Sequence, residues 1–189
     1  IPIEGAEDSL TLAESDLKQY NLNSEDIVIA LAASGRTPYA IGGLHYAKSL
    51  GCLTAAVTCN PNSKLSEIAD FGIDLDVGPE VLTGSTRLKS GSAQKMVLNM
   101  ISTASMIKYG KVYGNLMVDV SPTNQKLVLR AQNIVMQATG CDQETAKASL
   151  EKAGMKSKVA IVMIMKHCSA QEAIDRLNEA QGFVRKAIL

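Results

Sequence analysis

Four consecutive residues, Ser34-Gly35-Arg36-Thr37, bring together two hydroxyls, a freely turning backbone and a guanidinium. These groups suit a tetrahedral anion: the hydroxyls and guanidinium donate hydrogen bonds, and glycine lets the main chain come close. The turn has neither the G-x-G-x-x-G nor the G-x-x-x-x-G-K-[ST] spacing used for nucleotide phosphates. A sugar phosphate therefore matches it better than a nucleotide does. The same residues also allow a plainer reading, an ordinary strand-to-helix turn with Ser34 or Thr37 as N-cap and Pro38 at the first helical position.

An anion turn needs a strand to deliver it and a helix whose free N–H groups face the ligand. The apolar run Ile27–Leu31 supplies the first and Tyr39–Leu50 the second. Further strands are expected at Leu53–Thr58 and Ile73–Val77, with helices at Asp8–Tyr20 and Lys64–Ala69. Strand and helix alternate, and the connections are too long for hairpins. The fold class is therefore α/β, a parallel sheet flanked by helices, with ligands gathering at the carboxyl ends of the strands. A long helix follows from Ser85 to Tyr109. Its residues Leu88, Met96, Val97, Met100, Ile101, Ala104 and Ile107 cover more than one stripe, which predicts burial on two sides, one of them available to a second subunit.

Past Val120 the pattern becomes helical. Ser121-Pro122 reads as an N-cap and first-turn pair ahead of a face formed by Leu127, Ala131, Ile134, Val135 and Ala138. Asp142 can cap a helix running to about Ala153, and Ser169-Ala170-Gln171-Glu172 is a capping box. Lys158–Lys166 is ambiguous, since its β-branched content suits a strand and its neighbours suit a helix.

The chain has 189 residues, with 19 basic and 19 acidic side chains. That balance argues against nucleic acid or an anionic membrane as partner. Cys52, Cys59, Cys141 and Cys168 form no C-x-x-C pair, and with only His45 and His167 no metal constellation is expected. Reduced thiols, and the lack of a signal peptide or a membrane-length apolar run, lead us to expect a cytoplasmic location. The opening Ile-Pro reads as the start of a truncated or processed fragment. Met96, Met100, Met106, Met163 and Met165 read as core filling. His45 and His167 read as structural residues, and Cys59 has no base beside it in sequence to make it a nucleophile.

Four blocks carry a family resemblance: Ile3-Glu4-Gly5-Ala6-Glu7-Asp8; Ala32-Ala33-Ser34-Gly35-Arg36-Thr37-Pro38-Tyr39; Val77 through Gly91, containing Gly78-Pro79-Glu80 and Gly84-Ser85-Thr86-Arg87; and Tyr113 through Val120. In this order they resemble the second half of a sugar isomerase (SIS) domain, and more narrowly the N-acetylmuramic acid 6-phosphate etherase family. The resemblance implies a SIS domain over 1–120, partial because family members begin upstream with another Gly/Ser phosphate turn and a second catalytic glutamate. It implies a small helical bundle over 121–189, similar in fold to a ubiquitin-associated domain. Taken by itself, Glu7 would simply favour a helix N-terminus; the resemblance makes it a catalytic acid or base. Ser34, Gly35, Arg36 and Thr37 become the phosphate site and Glu80 a sugar-hydroxyl contact, although Glu80 also suits a solvated loop. Ser85, Lys89 and Asn60 are secondary candidates for facing the ligand.

The implied activity is that of a carbon–oxygen lyase of the hydro-lyase type. It would cleave the D-lactyl ether of the substrate to N-acetylglucosamine 6-phosphate and D-lactate by elimination and hydration, without cofactor or metal, during recycling of cell-wall sugar. A homodimer is implied as well. A regulatory SIS protein that binds sugar phosphate without catalysis and an aldose–ketose isomerase are the other readings.

Overall fold

The computed structural model describes residues 5–189; Ile3 and Glu4 of the first block lie outside them. Two compact units divide the chain, the first ending at Met100 and the second running from Ile101 to Leu189. The division falls 20 residues before the expected boundary at 120, inside a helix. The reason is packing: Val118 is buried in the core of the second unit, with Tyr113, Leu116 and Val120 against it.

In the first unit three parallel strands, β1 (Ile27–Ala32), β2 (Leu53–Thr58) and β3 (Phe71–Asp74), lie in the order β1-β2-β3. Ile27 stands opposite Leu53, Ala32 opposite Thr58, and Thr58 opposite Asp74. Between the strands run α2 (Pro38–Ser49) and α3 (Lys64–Ile68), after a short leading helix α1 (Leu12–Lys18). Alternation along a strand sends Ala30, Ala32 and Ala56 to one face, where they pack with Ile41, Leu44 and Leu65. The small alanines let the helices sit close to the sheet.

The third strand ends earlier than expected. Asp74 is its last residue, because its partner β2 itself ends at Thr58, directly opposite. The expected first helix is also interrupted. A 3-10 turn at Ala6–Asp8 is followed by extended Ser9, whose hydroxyl accepts from Leu12 N at 3.1 Å and opens α1. Between them Leu10 lies against α2: a Cβ placed on Gly42 would sit 1.8 Å from the Leu10 carbonyl oxygen.

The long helix α4 (Lys89–Lys108) begins four residues later than expected, and burial on two sides is not found. Ser90 is its one buried residue, whereas Met96 and Met100 are 54% and 61% exposed and Met106 and Ile107 about half exposed. Met96, Met100 and Met106 are therefore not core residues in this chain. Met165 is exposed too, and Met163 does pack against the second core.

The second unit carries the end of α4, a hairpin of β4 (Val112–Tyr113) and β5 (Leu116–Met117), and helices α5 (Gln125–Thr139), α6 (Gln143–Lys152), α7 (Ser157–Lys166), α8 (Ala170–Glu179) and α9 (Val184–Ala187). The α5 cap is Asn124, accepting from Leu127 N, rather than Ser121. Asp142 and the Ser169–Glu172 box cap α6 and α8 as their sequence suggests. The ambiguous segment is helix α7, with Val159, Ala160, Ile161 and Val162 all buried. Four consecutive buried residues cover every side of that turn and erase the period that would have announced the helix. Among the described residues no helix is long and apolar enough to cross a membrane.

Adjacent glycines in α2 give opposite expectations. Alanine in place of a helix-interior glycine ordinarily gains about 1 kcal/mol. At Gly43 the new methyl would meet Ala13 Cβ at an ordinary 3.4 Å, so Gly43→Ala should raise the thermal midpoint. At Gly42 it would strike main chain, and Gly42→Ala should lose about 1–3 kcal/mol. Paired calorimetric melts check this; equal shifts for the two variants would refute the close approach of Leu10.

Candidate anion cleft at the strand ends

The Ser34–Thr37 turn leaves the carboxyl end of β1 and enters α2, with Pro38 as its first helical residue. Gly35 has φ +66°, and its N–H bonds back to the Ala32 carbonyl at 3.0 Å. Its carbonyl accepts from Leu65 N at 3.1 Å, joining the turn to the start of α3. No side chain fits at this point: a Cβ on Gly35 would lie 2.2 Å from Ser63 Cβ and 2.5 Å from its hydroxyl. Glycine is thus required both by dihedral and by space.

Thr37 occupies the N-cap position of α2, but its hydroxyl makes no capping bond. The Ser34 hydroxyl accepts from Arg36 N at 3.3 Å and does not cap the helix either. The first-turn amides of α2 are therefore left to another acceptor, and this end of the helix carries the positive pole of its dipole. Tyr39 anchors that end by donating to Asp16 on α1 at 2.8 Å, a bond that raises the phenol's pKa.

Beside the turn lies a cleft of about 840 Å³. Ser34, Arg36 and Pro38 line one side, and Asn60 through Lys64, the loop joining β2 to α3, line the other. Leu10, Ile41 and Glu67 complete it. Its lining includes two cations, Arg36 and Lys64, and one carboxylate, Glu67. Asn60, a secondary candidate from sequence, donates to the Ser34 carbonyl at 3.2 Å and so ties loop to turn.

The two singled-out carboxylates do not line the cleft. Glu7 is exposed in the Ala6–Asp8 turn, three residues before Leu10. Glu80 accepts from Lys89 N and Ser90 N, each at 3.1 Å, and caps α4 from a distance in sequence. Those two backbone bonds hold its carboxyl below the usual glutamate range. Ser85 lies outside α4 and accepts from Arg87 N, so it is not that helix's N-cap. Lys89 is the first residue of α4, half-buried. Gln94, one turn on, donates to the Val57 carbonyl at 3.2 Å and fixes α4 to the end of β2.

Two further residues shape the cleft, Ser63 and Asp74. Ser63 caps α3 by accepting from Ser66 N, and the S-x-x-S spacing could have revealed it. Asp74 gave no sequence signal; its role comes from β3 lying beside β2.

Residues 12–104 match the family model of the SIS domain. Over 186 residues, 98% of this chain, it is 56% identical to proteins named N-acetylmuramic acid 6-phosphate etherase from Bacillus cereus and Bacillus anthracis. The chain spans 63% of the length of those relatives. Over nearly its whole length the chain is thus similar to proteins named N-acetylmuramic acid 6-phosphate etherase, and the parallel sheet with its Ser34–Thr37 turn lies within the stretch that matches the SIS domain.

Proposed function

We propose that the protein is a lyase acting on N-acetylmuramic acid 6-phosphate, releasing D-lactate and N-acetylglucosamine 6-phosphate in the cytoplasm. The 56% identity to proteins named as these etherases, over 98% of the chain, carries the reading. Ser34, Gly35, Arg36 and Thr37 grip the 6-phosphate with hydroxyls, guanidinium and the free amides of α2. Glu80 contributes by holding the start of α4 and, in this reading, by meeting a sugar hydroxyl.

Anchoring a phosphate remote from the reacting carbons converts binding into orientation. In the open-chain sugar the C2 proton is α to an aldehyde and therefore acidic. A carboxylate removes it, the C3–O bond to lactate breaks with a proton delivered to the departing oxygen, and water adds to the resulting double bond at C3. Glu7 takes one of these acid–base roles and a second carboxylate the other. The reaction is then a hydro-lyase-type cleavage of carbon–oxygen bonds, with proton transfers carried by protein side chains.

The half-exposed apolar stretch of α4 supports pairing of two copies, and sedimentation should give a dimer mass; a monomer at every concentration would count against it. In deuterated, ¹⁸O-labelled water the product sugar should gain deuterium at C2 and labelled oxygen at C3, while lactate stays unlabelled. Label in lactate would mean attack at the lactyl carbon and would refute elimination. Glu7→Gln should lower turnover by about 10²–10⁴-fold with product affinity retained; wild-type turnover in that variant would remove Glu7 from the mechanism.

A further inference from the structure

We propose that Asp74 is a positioning residue for the anion cleft: from the end of β3 it fixes the β2–α3 loop and, through Ser63 and Asn60, the shape of the Ser34–Thr37 turn. The identity of the cleft's ligand rests on the function proposed above. The hydrogen-bond arrangement stands on its own.

Asp74 stands opposite Thr58, where β2 gives way to the loop. Its Oδ1 accepts from Thr58 Oγ1 at 2.8 Å and from Ser66 Oγ at 2.5 Å, and its Oδ2 accepts from Asn62 N at 3.3 Å. The Thr58 hydroxyl also lies 3.0 Å from the Asn60 carbonyl, but it has one proton, and the charged acceptor is the stronger partner.

A carboxylate only accepts, and this sets the direction of the whole chain of hydroxyls. With the Ser66 proton committed to Asp74, Ser66 Oγ accepts from Ser63 Oγ at 3.1 Å, and Ser63 Oγ in turn accepts from Ser66 N at 3.2 Å. Ser63 is the side chain against which Gly35 is packed. Asn62, held by Asp74 through its N–H, has φ +57°, a left-handed conformation that asparagine adopts more readily than most non-glycine residues. Asn60 in the same loop holds the Ser34 carbonyl. The Ser63 packing and the Asn60 bond to the turn thus come from a segment pinned by one carboxylate. The Ser66 hydroxyl, followed by that of Thr58, holds the Asp74 carboxyl below its ordinary range, so it remains an acceptor at neutral pH.

Asp74 does not line the cleft. Its removal should therefore act on the phosphate grip and not on the sugar ring. Affinities of the full protein for N-acetylglucosamine 6-phosphate and for unphosphorylated N-acetylglucosamine, with KM and kcat, read this out. Asp74→Ala should weaken the phosphorylated ligand about tenfold, with KM rising more than kcat falls and the unphosphorylated ligand unaffected. Asp74→Asn should restore part of the affinity, since its amide oxygen still accepts from Thr58 and Ser66 while its amide nitrogen cannot accept from Asn62 N. If Asp74→Ala does not fold, Ser66→Ala breaks the same chain and carries the same expectation.

Unchanged affinity for the phosphorylated sugar, or equal weakening of both ligands, would overturn the role. Release of lactate with unaltered affinity in the variants would sink this inference alone. Absence of lactate release, with phosphate selectivity present in the wild type and lost in Asp74→Ala, would sink only the lyase reading. A wild-type protein that fails to bind the phosphorylated sugar would overturn both.

Discussion

The contact of Gly35 with Ser63 is the constraint around which the first unit is arranged. The backbone leaving β1 meets the side chain of Ser63, the N-cap of α3, with no room for even a methyl group. Everything that defines the cleft follows from that approach: the sharp turn, the exposed first-turn amides of α2, and the loop Asn60–Lys64 that forms the opposite wall. In the proposed reading, main-chain amides and hydroxyls share the anion with the local cation Arg36, and a net charge of zero is compatible with that.

Carboxylates in this unit differ in how far the fold engages them. Asp70 accepts from Thr54 N and Oγ1 and pairs with Lys48; the Lys48 bond first, then those from Thr54, bring its carboxyl down to about 2. Asp74 organises the loop hydroxyls, and Glu80 caps α4. Glu7 stands exposed at the edge of the same unit. A carboxylate serving as general base must be able to change its protonation state, and one with several donors aimed at it resists that change.

How much of this could be read from residues alone depended on the range of the interaction. Strands β1 and β2 and helix α2 are legible because each is bounded by local signals: apolar runs, Gly51 and Pro38. The capping box at Ser169 and the Asp142 cap are likewise three-residue events. The start of α4 was misplaced because its cap, Glu80, lies nine residues before Lys89. Helix α7 was ambiguous because burial on all sides erases amphipathic period, and the burial expected for α4 failed because composition records apolarity without saying what covers it. Ser34 and Arg36 of the candidate site were legible as a turn with anion-binding chemistry. The contribution of Asp74 was not, since it depends on which strand lies beside β2.

A crystal structure of the protein with N-acetylglucosamine 6-phosphate tests the central claim most directly. The account predicts phosphate oxygens within hydrogen-bond reach of the Ser34 and Thr37 hydroxyls and of the first-turn amides of α2. A sugar phosphate bound elsewhere, with the Ser34–Thr37 turn untouched, would contradict it.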